Sequence, residues 1–183
     1  MDPSDADPGS SSPIILLGIL LSQVGGIGLV MSIVGLLLLL LISALLSGSE
    51  VAYFSLSGEE LAEVKESKAK RDISIQLLLA RPRTLLATIL MGNNVVNIAI
   101  VILSNAITAG LLQFDQAWLE FLVQIVAVTF LLVLFGEVIP KIYANHFNLQ
   151  MARTMAVPML FLVRMLRPLS LILVRSSRLL EKR

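Results

Sequence analysis

The residues with the clearest chemical potential sit inside long apolar runs. Ser43 and Ser47 stand four residues apart, hence on one helical face, with Glu50 one turn further along. The run Gly92-Asn93-Asn94-Val95-Val96-Asn97 places Asn93 and Asn97 on one face by the same spacing. Gly136-Glu137-Val138-Ile139-Pro140-Lys141 brings a carboxylate next to a helix-breaking proline. Every such group costs free energy in hydrocarbon unless it is paired or wetted. Hydroxyls, amide carbonyls, a carboxylate and a free backbone carbonyl are hard oxygen donors, a set that suits Mg²⁺ or Na⁺ and not soft metals.

The proline makes the third motif specific. Pro140 has no N–H, so at α-helical spacing the carbonyl of Gly136 loses its partner beside the Glu137 carboxylate. Irregular backbone at membrane depth is tolerated where it lines a cavity, and Gly136 adds no side chain to block approach. At about 1.5 Å per residue, Ser43, Asn93 and Glu137 each lie very roughly 8–15 Å from the cytoplasmic end of their spans, consistent with one shared site. Plainer roles exist for the same residues. Asn93 and Asn97 can act as interhelical glue at roughly 1 kcal/mol per hydrogen bond, and Ser43 and Ser47 as small packing residues. Glu137 can pair with Lys141 one turn away, Glu50 can simply reach the interface, and His146 reads as interfacial rather than as a ligand.

Three elements must position these groups. Val30 to Ser49, Thr84 to Gln113 and Phe121 to Gly136 carry no charge apart from their flanks, and each continues far enough to cross about 30 Å of hydrocarbon as a helix. With 56 % hydrophobic and 15 % charged residues among 183, and a mean hydropathy of +0.88, an ordinary soluble domain is excluded. All fourteen basic residues fall in two segments, six between Lys65 and Arg83 and eight from Lys141 to Arg183, whereas Asp2, Asp5, Asp7, Asp115 and Glu120 mark the other side. The positive-inside rule therefore puts the N-terminus outside and the C-terminus in the cytosol. The expected class is an all-α membrane protein of three transmembrane helices with amphipathic juxtamembrane helices. The absence of cysteine removes disulfides and thiolate metal sites, and a net charge of +1 gives no case for nucleic acid. The basic residues read as topology determinants that also meet anionic lipid head groups.

Along the chain, 1–13 reads as a disordered outer tail and 14–28 as a short outer lead-in helix joined flexibly to the first span through Gly25, Gly26 and Gly28. The transmembrane domain covers 29–175. Within it, 57–83 is a cytoplasmic helical connection whose Glu59, Glu60 and Glu63 precede Lys65, Lys68, Lys70 and Arg71, as in one exposed helix, followed by a short amphipathic piece from Ile73 to Leu79. Residues 155–174 are apolar enough to suggest a fourth span, but Pro158, Arg164, Arg167 and Pro168 break the run, so 146–175 is expected to form interfacial helices. Residues 176–183 read as the start of a linker to a cytosolic domain beyond this sequence.

Ser43-Ala-Leu-Leu-Ser47-Gly-Ser-Glu50, Gly92-Asn-Asn94-Val-Val-Asn97 and Phe135-Gly-Glu-Val-Ile-Pro-Lys141 together resemble the transmembrane domain of the CNNM/CorC (CorB, DUF21) magnesium transporters over residues 30–175. The last two motifs, in order and at these separations, carry the specificity. The resemblance implies a homodimer of three-helix protomers, a juxtamembrane helical belt, and a cytosolic CBS-domain pair that binds ATP with Mg²⁺. It also implies Mg²⁺ export from the cell with Na⁺ as counter-ion. The implied ion site uses Ser43 or Ser47, Asn93, Asn97, Glu137 and a carbonyl near Gly136, supported by Glu50, Asn94, Pro140 and Lys141. Small residues such as Gly35, Ala44 and Gly48 would let a second copy approach. The alternatives are a channel, or a membrane anchor or sensor whose cytosolic partner does the work. No nucleophile–base pair or phosphate-cradling loop is evident, so an enzyme is not expected.

Overall fold

The computed structural model describes residues 25–111 and 117–166. These form α1 (Gly25–Phe54), α2 (Gly58–Glu66), α3 (Lys70–Leu79), α4 (Pro82–Leu111) and α5 (Ala117–Leu131), then a π-helical segment (Leu132–Val138), α6 (Ile139–His146) and α7 (Asn148–Met165). Among the described residues there is no strand. Three helices are long and apolar enough to cross a membrane: Gly26–Phe54, Pro82–Thr108 and the continuous Phe121–His146. The outer tail, most of the lead-in helix, Asp115 and residues 167–183 lie outside the described residues.

The first span is longer than expected at its start. Gly25, Gly26 and Gly28 belong to α1 itself, and the Ser32 hydroxyl donates to the Gly28 carbonyl at 2.9 Å. They are not a flexible joint, because in lipid the backbone must satisfy its own hydrogen bonds whatever its side chains.

The cytoplasmic connection forms the two expected helical pieces, but the break between them falls earlier, at Ser67–Ala69, so Lys70 and Arg71 open the second helix instead of ending the first. The capping box is complete: the Ser57 N–H donates to Glu60 Oε2 at 2.7 Å, and the Glu60 N–H donates to Ser57 Oγ at 3.3 Å. The break lets α3 turn to bury Ile75 and Leu78 while α2 buries Val64, which a single straight helix could not do. The two remain joined by the Gln76 side-chain amide, which donates to the Val64 carbonyl at 2.7 Å. Pro82 then opens α4 at a first helical position, where its lack of an N–H costs nothing.

Proline does not break α7 either. The helix runs from Asn148 to Met165 through Pro158, its buried face held by Met151, Ala152, Met155, Ala156 and Met159. Packing against α1 and α3 offsets the one hydrogen bond that Pro158 removes. The core therefore sits at the basic end, where Leu46, Tyr53, Val64, Ile75, Leu85, Ile89 and the α7 methionines meet. Farther along, Leu37, Leu38, Val101, Val126 and Phe130 are exposed on the spans, as lipid-facing residues should be.

Candidate ion site between the spans

Antiparallel packing of α1 on α4 brings the first two motifs to one level. Ser43 is fully buried, and its Oγ lies 3.0 Å from Asn93 Oδ1 and 2.9 Å from Asn97 Oδ1. A hydroxyl has one proton, so it can donate to only one of these two carbonyls at a time. The second amide oxygen is left against another oxygen, or must turn its NH₂ inward. With both amide oxygens turned to the hydroxyl, its one proton leaves a locally electronegative point.

The third span closes on the same serine. A Cβ built on Gly136 would lie 3.0 Å from Ser43 Oγ, so a larger residue would fit only if Ser43 gave way by a few tenths of an ångström. Gly136 is buried, and Glu137 beside it is half-buried with no hydrogen-bond or ion-pair partner among the described residues. The pairing with Lys141, the plainer alternative for this carboxylate, is not formed; Lys141 Nζ instead reaches Glu50 of α1 at 3.4 Å.

Backbone geometry around Glu137 differs from simple α-helical interruption. Leu132–Val138 is π-helical, and the Ile139 N–H donates to the Leu134 carbonyl five residues back. In that register the next donor would be Pro140, which has none, so the segment ends there. The carbonyl that Pro140 would have served is then that of Phe135, one residue before the Gly136 carbonyl expected from α-helical spacing. The helix continues through Pro140 into α6 without a break.

One turn toward the basic end, Ser47 is 1 % exposed, and its Oγ is buried without any hydrogen-bond partner. Several hydroxyls in the spans bond the carbonyl four residues back, as Ser49 does to Leu45 at 2.6 Å and Thr88 to Thr84 at 2.8 Å, and Ser43 donates to the asparagines. Ser47 has neither kind of partner, and a buried orphan hydroxyl calls for an explanation. Asn94, by contrast, points to an exposed face of α4, away from the Ser43 cluster. Among the described residues no three His, Cys, Asp or Glu side chains gather, and the oxygens around Ser43 are those of neutral side chains.

Gly35 and Gly48, expected to admit a second copy, are occupied within the protomer. A Cβ on Gly48 would meet the Met151 methyl at 2.9 Å and the Pro140 carbonyl at 3.3 Å, and one on Gly35 would meet Leu103 at 3.3 Å.

The sequence profile of the cyclin M transmembrane N-terminal domain matches residues 34–183. The chain belongs to this family. It is also 30 % identical over 132 residues to the UPF0053 protein sll1254 of Synechocystis, a match covering 72 % of this chain and 37 % of that protein. A UPF0053 protein of Haemophilus influenzae is 33 % identical over 109 residues, 60 % of this chain and 25 % of its own length. The chain thus spans between a quarter and two fifths of these relatives. The cyclin M domain and the three apolar helices make it a membrane protein.

A second polar cluster, at the basic end, was not anticipated from the sequence. Arg153 of α7 donates from Nε to Asp72 Oδ1 at 2.8 Å, and from its terminal nitrogen to Glu63 Oε1 at 2.7 Å and Asp72 Oδ2 at 3.2 Å. Asp72 is buried, and the Arg153 guanidinium holds its carboxyl below the usual range; the same pairing raises Arg153. The Asn148 side chain donates to the Ser55 carbonyl and to Glu60, each at 3.0 Å, and the Tyr53 hydroxyl donates to the Ala152 carbonyl at 3.1 Å. Glu60 is lowered chiefly by the Ser57 N–H. The available signal was slight: one acid, Asp72, within a basic run, and one arginine within an apolar helix.

Proposed function

We propose that this chain is the ion-translocating membrane part of a magnesium transporter in the cell membrane, exporting Mg²⁺ in exchange for Na⁺ by alternating access. The observation that supports it best is the convergence of the Ser43 hydroxyl and the Asn93 and Asn97 carbonyl oxygens, with Gly136 against the serine; Glu137, next in the chain, has no partner among the described residues. Hard oxygens at membrane depth in excess of available protons suit a small, strongly hydrated cation. One carboxylate cannot neutralise a divalent ion, which limits affinity, and a transported ion must be able to leave. The π segment beside Glu137 is a place where helical register can change, as such segments often do at functional sites. The chain carries no catalytic constellation in this reading. Assembly as a homodimer, and control through a cytosolic CBS pair binding ATP with Mg²⁺, belong to the same proposal and rest on the family resemblance alone.

A second reading has its own support. Hydrogen bonds from Ser43 to two asparagines are also what helix–helix glue looks like, so an anchor or sensor domain would use them for packing alone. Flux measurements in liposomes carrying the full-length protein separate the two. Glu137→Gln and Asn97→Ala should each abolish saturable Mg²⁺ flux while folded yield stays normal, and Asn105→Ala, on an exposed face nearer the outer end, should not. Normal flux in Glu137→Gln would overturn the transport reading in favour of the anchor.

A further inference from the structure

Lys141 has two carboxylates within reach. Glu137 lies one turn back on its own helix, with the acid N-terminal to the base, the favourable order for such a pair. Glu50 lies across the interface on α1, and Lys141 Nζ is 3.4 Å from its Oε2. The choice follows from packing. Gly48 lets α1 come against the Pro140 carbonyl, and this contact sets Glu50, two residues after Gly48, opposite Lys141, one residue after Pro140. Glu137 consequently stands without a partner, although an unpaired carboxylate at membrane depth is costly and an ammonium is tethered one turn away.

We propose that Glu50 is a positioning residue that holds Lys141 off Glu137, so that the carboxylate is open to the transported cation. This rests on the transport reading above. Lys141 is then an internal competitor: once released from Glu50, its ammonium neutralises Glu137 and excludes Mg²⁺ or Na⁺ from the site. Both cations compete for one negative charge, so the effect belongs to apparent affinity and not to turnover.

The test is the Mg²⁺ concentration for half-maximal flux, measured with the full-length protein in liposomes. Glu50→Gln should raise it about fivefold, the scale of one partly screened ion pair, with maximal rate little changed. Lys141→Met added to Glu50→Gln should restore it, and Lys141→Met alone, which also covers poor folding of the first variant, should leave it no higher than wild type. Half-saturation in Glu50→Gln equal to a saturable wild type would sink this proposal and leave the transport reading standing. Failure of the double variant to recover, or a rise in Lys141→Met alone, would show the pair to be a structural strut. A wild-type protein without Mg²⁺ flux would remove both readings together.

Discussion

Two polar clusters lie a few helical turns apart, and their accounts of hydrogen bonding differ. At the basic end, Arg153 meets both oxygens of Asp72 and one of Glu63, while Asn148 and Tyr53 each find a backbone carbonyl. Within the spans, Ser43 has one proton for two amide oxygens, Ser47 has no partner, and Glu137 has none among the described residues. A folded chain satisfies the polar groups it uses for structure, because each one left buried and unpaired costs about 1–3 kcal/mol. The first cluster therefore reads as the clamp that sets helix positions, and the second as a place prepared for something else. Mutations should separate them: loss of stability at the clamp, loss of ion dependence between the spans.

The largest effect on stability is expected at the clamp. Arg153→Met strands the buried Asp72 carboxylate and unties α7 from α2 and α3. Since Arg153 itself is about a third exposed, the cost should fall somewhat short of a fully buried pair, roughly 2–4 kcal/mol. Thermal unfolding in mild detergent should show a drop of roughly 5–10 °C. Mg²⁺ half-saturation of whatever remains folded should be unchanged. A shift in half-saturation without loss of stability would mean that the two clusters are not separable.

Acid gives a graded form of the same test. The Asp72 and Glu60 carboxyls are held below their ordinary values of 3.8 and 4.5, by Arg153 and by the Ser57 N–H respectively. A carboxyl depressed in the folded state binds fewer protons there than when unfolded. Its stabilisation is thus complete above the ordinary value and lost as pH falls toward the folded one. The unfolding temperature of the wild type should be nearly level from about pH 8 to about pH 5 and then decline. The Asp72 share of that decline should shrink in Arg153→Met, because the largest cause of its lowering is gone while burial still opposes the charge and the Ser67 hydrogen bond remains. A decline beginning near neutrality would point to another titrating group.

The sequence reached the spans and the contested polar residues because membranes impose simple rules: length, charge asymmetry and the cost of a polar group in hydrocarbon leave visible marks on composition. It placed Ser43, Asn93 and Glu137 at one level from helical rise alone, and put Asn97 on the Asn93 face by spacing; the hydrogen bonds from Ser43 join it to both asparagines. What it missed depends on tertiary packing. The place of the break between α2 and α3, the continuity of α7 through Pro158, and the Arg153 clamp all follow from which faces meet at the basic core. Lys141 illustrates the limit well. Spacing along one helix favours Glu137, and only the approach of α1 at Gly48 reveals Glu50 as the partner.

The smallest effect is expected at Ser47, where sequence could not choose between two serines. Its hydroxyl is buried and bonded to nothing, so Ser47→Ala removes an unsatisfied polar group and leaves a cavity of hardly one atom. Stability should therefore rise, by roughly 0.5–1 kcal/mol, where most substitutions in a packed helix interface lower it. If the orphan oxygen serves the ion, the same variant should need about two- to fivefold more Mg²⁺ for half-maximal flux, the cost of one neutral ligand that water can partly replace. Measured together, unfolding temperature and half-saturation form a pair of opposite sign: a gain in the first and a loss in the second. A gain in stability with unaltered Mg²⁺ dependence would confine the site to Ser43 and its two amides, with Glu137 as the sole charge. A loss of stability would show that Ser47 makes a structural bond and would return it to the class of satisfied hydroxyls exemplified by Ser49 and Thr88.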